Sequence, residues 1–382
     1  MTFLALAPLL AATLPASELS ASHAPLVSIT CAALLDEDTL LLGRTDGWIV
    51  PVDPKTGKDE DHVPFARHTS AIAGLAIDPA GELVAAASEG GVVALWPIQV
   101  EHESWARRAG LVGAYPGRFT SPTVEITPTP KPWHDAVELE WTHDGSHLVT
   151  WSYHQDHGAS PTTVQVWTRE GELVWTGPHA RQVDVHPTEL RLAAVVEDAV
   201  LLGWLGEGLQ IIELEGAYDC VEFSPDGSTL AVGGSECRAW LLDAKMGAVK
   251  QSDTIDLQVV FGRYTQRLRW SPDGRRIAVV MAKVLHAGVL SASDLTVAWR
   301  SGLLGGRMWS VFDVTWTPLG SLVTGFQGTW IVDPATDRRT TLDGDQEWQD
   351  LVSVGDSEEF VLVAGGVARR FNAEGTEVRW KR

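Results

Sequence analysis

The stretch HTSAIAGLAIDPAGELVAAASEGGVVALW (68–96) decides the fold. Leu75 and Ile77 before DPAG, and Val84 and Ala86 after it, alternate with their neighbours, as two short strands with one buried face should. Asp-Pro suits the reversal because proline presets its φ, and the following glycine accepts positive φ. SEGG (88–91) is a second turn and VVALW (92–96) a third strand.

The same phrase returns along the chain as WTHDG (141–145), VHPTE (185–189), FSPDG (223–227), WSPDG (270–274) and WTPLG (316–320). With IDPAG (77–81), the turns end at 81, 145, 189, 227, 274 and 320, in steps of 64, 44, 38, 47 and 46. A period of 40–50 residues with strand-like units signals a circular or stacked repeat architecture. A fourth, outer strand follows in VQVW-TREGE-LVW (164–175) and ARRF-NAEGT-EVRW (368–380). Four short strands per unit make one propeller blade. Weaker units at 28–62 and 348–380 complete the set, giving divisions near 28–66, 67–133, 134–179, 180–216, 217–262, 263–306, 307–346 and 347–382.

Residues 68–96 resemble a WD repeat, with an entry histidine, the two turns and a strand ending in tryptophan. His68, Ser88 and Trp96 match that family's buried tetrad, while Gly90 stands where aspartate is expected. WSPDGRRIAVV (270–280) resembles the related TolB-type repeat, and DPKTGK (53–58), DAKMG (243–247) and DPATD (333–337) resemble turns of quinoprotein-type propellers. The expectation is an all-β, single β-propeller over residues 28–382, of eight four-stranded blades, with seven as the alternative. An apolar arm at 1–27 precedes it, and a stretch at about 98–133 lengthens the second blade by some twenty residues against the repeat period.

Seventeen tryptophans, against nine phenylalanines and four tyrosines, fit blade-to-blade packing. Trp141, Trp270 and Trp316 close inner strands; Trp96, Trp167 and Trp240 lie on third strands. Each such side chain buries roughly 150–250 Å², about 4–6 kcal/mol gross. A net charge of −21 argues against direct nucleic-acid binding, since a phosphate backbone demands a basic footprint. The charge is uneven: residues 169–222 carry 11 acids against three arginines, whereas 263–283 carry six basic residues and one acid. Such asymmetry can orient a partner or simply keep the surface soluble. Cys31, Cys220 and Cys237 make no disulfide framework and read as small buried hydrophobes.

FLALAPLLAATL (3–14) has the length of a signal-peptide core but no preceding lysine or arginine, and is too short to span a bilayer. The expected location is therefore cytoplasmic, with export as the alternative if residues 1–22 are a signal. No membrane insertion is expected.

No phosphate-cradling loop, nucleophile elbow or paired CxxC is present, so no cofactor and no catalytic residue are assigned. His134, Asp135, His154, Asp156 and His157 form the one metal candidate, in connections expected on one face of the third blade. The alternative for that group is a hydrated polar loop. Trp133, Tyr264, Trp309 and Trp348 recur just ahead of inner strands, around the expected channel mouth, with Arg263 and Arg267 beside them. They suit a partner surface or a cap on the blade core. Trp105, Arg107, Arg108 and Tyr115 in the long stretch are partner-facing residue types too. The WD-repeat resemblance implies a non-enzymatic interaction scaffold, a subunit of a multiprotein complex binding one or more proteins at the channel mouth. The alternatives are a propeller enzyme or small-molecule binder, and a periplasmic TolB-like subunit.

Overall fold

The computed structural model describes residues 27–36, 39–56, 65–98, 122–128, 137–151, 163–196, 199–205, 208–215, 218–235, 237–255, 265–281, 286–301, 313–317, 322–325, 329–343, 348–353, 359–364, 367–372 and 376–378. Every regular element among them is a strand. Blade one holds β1 (Ile29–Asp36), β2 (Thr39–Arg44), β3 (Trp48–Val52) and β4 (Ala66–Arg67). Blade two holds β5 (Ile72–Ile77), β6 (Leu83–Ser88), β7 (Val93–Pro97) and β8 (Val124–Ile126). Blade three holds β9 (Glu138–Trp141), β10 (His147–Trp151), β11 (Thr163–Thr168) and β12 (Leu173–His179). Blade four holds β13 (Gln182–Val185), β14 (Arg191–Val196), β15 (Ala199–Trp204) and β16 (Gly208–Ile212). Blade five holds β17 (Tyr218–Phe223), β18 (Thr229–Gly234), β19 (Arg238–Asp243) and β20 (Val249–Thr254). Blade six holds β21 (Thr265–Trp270), β22 (Arg276–Met281), β23 (His286–Ser291) and β24 (Val297–Arg300). Blade seven holds β25 (Asp313–Trp316), β26 (Leu322–Gly325), β27 (Thr329–Asp333) and β28 (Arg338–Asp343). β29 (Trp348–Ser353), β30 (Glu359–Ala364) and β31 (Val367–Asn372) form a C-terminal sheet.

The seven blades are four-stranded, each strand pairing antiparallel with its sequence neighbours, whereas the C-terminal sheet has three strands. Among the described residues complete blades thus number seven, the alternative stated above, and the C-terminal unit, expected to have four strands, shows three; residues 379–382 lie outside the described residues. There the outer position is marked by a single bridge, Phe371 to Glu377. Val124–Ile126, inside the long stretch of the second unit, supplies that blade's outer strand.

The strands were expected to bury one face. The second strands β6, β14 and β18 bury both, because each blade is sandwiched between two others. In β6, Val84 and Ala86 pack toward blade one with Ile49 and Trp96. Ala85 and Ala87 of the same strand pack toward blade three with Trp141 and Leu148. Similar clusters join blades three and four, four and five, five and six, and six and seven. Phe360 and Leu362 carry the packing from Ile331 of blade seven into the C-terminal sheet. Val361 and Val363 then meet Leu40 and Val50 of blade one, closing the circle.

The turns behave as their residues require. Gly81, Gly145, Gly227 and Gly274 have φ of +68°, +67°, +70° and +66°, the left-handed region that glycine enters without a steric penalty. In FSPDG, Ser224 Oγ donates to Asp226 (2.6 Å) and accepts from the Thr229 amide (3.0 Å). WSPDG repeats both bonds with Ser271, Asp273 and Arg276. Cys31, Cys220 and Cys237 are buried free thiols, as expected.

Candidate functional site

The innermost strand of a blade has a sheet neighbour on one side only, so its other row of backbone groups needs partners. β9, β13, β17 and β21 end in Glu140-Trp141, Asp184-Val185, Glu222-Phe223 and Arg269-Trp270. These paired positions supply what the inner edge lacks. The Phe223 amide donates to Asp184 Oδ2 at 2.7 Å, and the Trp270 amide to Glu222 Oε2 at 2.8 Å. In the same direction, from each blade back to the one before it, the Trp270 indole donates to the Glu222 carbonyl at 3.0 Å and the Trp316 indole to the Arg269 carbonyl at 2.7 Å. Trp141 does the same to Ala76, at 3.3 Å. An acid and an indole together staple blade six to blade five, an acid staples blade five to blade four, and an indole staples blade three to blade two and blade seven to blade six.

Among the described residues, this wall carries the carboxyls raised furthest. Glu140 and Asp184 are half-buried residues whose carboxyl groups are enclosed. Burial drives Glu140 well above the usual carboxylate range, and the neighbouring Asp184 adds to it; the Val185 amide and Arg269 oppose. Burial also pushes Asp184 up to about 6 against the Phe223 amide and Arg269. Two enclosed carboxyls in mutual range resist double ionisation, so the pair favours holding a proton. Asp184 is already committed to a backbone amide, which makes the pair a brace rather than a free acid–base couple.

Further along the same strands, Arg181 Nη1 meets Asp219 at 2.6 Å. Burial raises the Asp219 pKa while Arg181 pulls it down. Arg267 is half-buried in β21. It and Arg269 draw the Cys220 thiol downward, but burial wins and pushes that thiol far up. Cys220 is therefore a protonated core thiol, not a nucleophile.

The opposite end of the inner strands carries the turns. Ser224 and Ser271 hold Asp226 and Asp273 below the usual carboxylate range. Asp144, raised by partial burial, is brought down to about 2 by Ser146 and Thr142. Between the two SPDG turns lies a groove of ≈ 420 Å³, lined by Pro225, Asp226, Trp270, Pro272 and Asp273 among others. Where blade four replaces the Ser/Thr with His186, the imidazole Nε2 binds the Gly227 carbonyl of the next turn at 2.9 Å.

One exposed cluster stands out beside these turns. Trp204, at the end of β15, is 40% exposed. The guanidinium of buried Arg191 lies 5.1 Å from its ring centroid and donates to the Lys245 carbonyl at 2.9 Å. The next residue, Met246, is 66% exposed, and its carbonyl accepts from Gln210 of β16 at 3.4 Å. An exposed indole against a buried guanidinium, beside an exposed methionine, combines residue types enriched at protein–protein interfaces.

The structure tests little of the sequence-derived site. Arg267 takes its place in the channel-wall strand β21. Trp348 opens β29, opposite Ala364, but its side chain lies outside the described residues. Trp133, Tyr264, Trp309, Arg263, Trp105, Arg107, Arg108 and Tyr115 also lie outside them, as do His134, Asp135, His154, Asp156 and His157. Among the described residues, no three His, Cys, Asp or Glu side chains gather as metal ligands, and no helix is long and apolar enough to cross a membrane. The stapling acids went unnoticed in the sequence. Their signal is the acid just before the closing residue of three successive inner strands. Trp204 was hidden by the general assignment of tryptophan to packing.

The WD-like unit departs from its pattern as Gly90 foretold. His68 and Trp96 meet edge to face with ring centroids 6.0 Å apart. The His68 Nδ1 accepts from the Thr69 amide at 2.9 Å, and Ser88 donates to the Val92 carbonyl at 3.1 Å. Neither His68 Nε2 nor the Trp96 indole completes a hydrogen bond, so three of the tetrad's four residues are in place without its chain of bonds.

These features define a β-propeller that resembles the WD-repeat class. The profile of the WD domain, G-beta repeat, matches residues 62–97, one unit of the ring. Solved structures extend the likeness of fold to nearly the whole chain. Saccharomyces cerevisiae Sqt1 superposes with a TM-score of 0.65 at 13% identity, over 92% of this chain and 96% of that one. The computationally designed Ika8 protein gives 0.62 at 16% identity, over 90% and 96%. The Cps50 (Swd1) β-propeller domain of Myceliophteria thermophila gives 0.54 at 14% identity, over 90% and 97%. A sequence comparison with curated proteins finds no match.

Proposed function

We propose that this chain is a non-enzymatic propeller that holds one or more protein partners within a larger assembly. The observation that carries the proposal is the Trp204–Arg191–Met246 cluster, an exposed aromatic and methionine beside a buried guanidinium. The WD-repeat likeness of residues 62–97 supports the same reading, because such propellers commonly serve as interaction scaffolds. The channel-mouth aromatics, Trp309 and Trp348 foremost, form a second contact surface in this account. A ring of eight units also belongs to it, supported by the packing of the three-stranded sheet against both blade seven and blade one.

The test is affinity purification from the native host with three baits: wild type, Trp204→Ala/Met246→Ala and Trp309→Ala/Trp348→Ala. A stoichiometric partner kept by wild type and lost by at least one folded double variant is the expected result. Retention by both variants would remove these surfaces from the account.

A further inference from the structure

We infer that β16 is a docking edge for an extended, basic segment of a partner protein, which adds to blade four as a fifth strand. This rests on the platform reading and supplies the mode of binding and the chemistry of the occupant.

Every outer strand presents a row of backbone groups to solvent, and proteins blunt such edges with charges or proline. Six of the seven described outer strands do so: β4 carries Arg67, β8 Glu125, β12 Pro178 and His179, β20 Lys250 and Asp253, β24 Arg300, and β28 Arg338 with Arg339. β16 reads Gly-Leu-Gln-Ile-Ile and carries none. Among the described strands, its neighbour is β15, on one side. Its Ile211 is 64% exposed, and its partner strand ends in the exposed Trp204. An unguarded edge with apolar residues on its flanks is what strand addition uses: backbone bonds supply affinity and alternate side chains supply selectivity.

Charge chooses between occupants. The chain carries a net charge of −21, and the exposed Glu213 and Glu215 follow β16 directly. The basic side chains nearby among the described residues are Arg238, already 3.0 Å from Glu215, Arg191, 3.6 Å from Glu189, and Lys245. A second copy would bring two chains of that charge together, whereas a lysine- or arginine-bearing strand is attracted.

The full chain should be titrated with a fluorescent peptide alternating Lys and Val, with an alternating Glu–Val peptide, and with a Lys–Val peptide methylated on alternate backbone nitrogens. Hydrogen exchange should be followed across residues 205–215. The expected result is binding by the unmethylated basic peptide alone, with slowed exchange in β16. Ile211→Lys, a change at an exposed position, should weaken it at least about tenfold. No binding, binding unchanged by Ile211→Lys, or equal binding of the acidic peptide would overturn the proposal. Self-association of the wild type that Ile211→Lys abolishes would also overturn it, since the occupant would then be a second copy. Partner capture lost in Trp204→Ala but retained in Ile211→Lys would overturn the edge and leave the platform standing.

Discussion

Replacing Asp184 separates its two roles, as an acceptor and as an enclosed acid. Its carboxyl is raised from 3.8 to about 6 by burial. Because the folded-state value is the higher one, its contribution to stability is present below 3.8 and is lost as pH rises through about 6. Two pKa units correspond to about 3 kcal/mol withdrawn at pH 8. Asp184→Asn keeps an oxygen to accept the Phe223 amide, now held at 2.7 Å, and removes the ionisation. Asp184→Ala removes both, leaving an orphaned amide that costs about 1–3 kcal/mol at any pH. For 382 residues, an unfolding entropy of about 2.1 cal/mol/K per residue makes 3 kcal/mol roughly 4 °C in Tm. Calorimetry at pH 4 and pH 8 should find the asparagine variant near wild type at pH 4 and about 4 °C above it at pH 8. The alanine variant should lie below the asparagine variant at both. A pH-independent effect of Asp184→Asn, or identical behaviour of the two variants at pH 4, would refute the stapling argument.

Other expectations follow from the same geometry. Gly81→Ala should cost about 1 kcal/mol for its left-handed backbone, since its nearest new neighbour is 4.0 Å away. Gly227→Ala should cost about 1–3 kcal/mol more by urea denaturation, because its Cβ would overlap the His186 imidazole; His186→Ala should recover part of that excess. Trp316→Phe removes the indole bond to the Arg269 carbonyl and should cost about 1 kcal/mol in the same assay. Burial lowers the pKa of His68 and His186, so their contribution is complete above 6.5 and is lost as pH falls below it. Their replacement by glutamine should flatten the acid side of a Tm–pH profile. All three buried cysteines should resist a thiol reagent at pH 8 until denaturant is added, Cys220 most of all.

The turn glycines and the tryptophans closing β9, β21 and β25 made the ring legible, because the hairpin and the blade interface each demand a particular residue type. The double-sided burial of β6 was not legible, since alanines at 85 and 87 carry no periodicity that separates a sandwiched strand from one facing water. Glu140, Asp184 and Glu222 looked like ordinary polar alternation. Their role depends on an amide roughly forty residues away in the next blade, a pairing set by ring geometry rather than local pattern. Trp204 reads as core by composition and becomes surface only because it sits at the rim of β15 over Arg191. The C-terminal unit repeated the hairpin signal strongly enough to suggest a full outer strand, where among the described residues one bridge at Glu377 pairs.

The central claim, a platform rather than a self-sufficient catalyst, is tested most directly by native mass spectrometry of the tagged chain isolated from its host. The account predicts particles heavier than the 41.4 kDa chain by one or more whole protein partners in fixed ratio. A chain found alone, or carrying only a small molecule or metal, would contradict it.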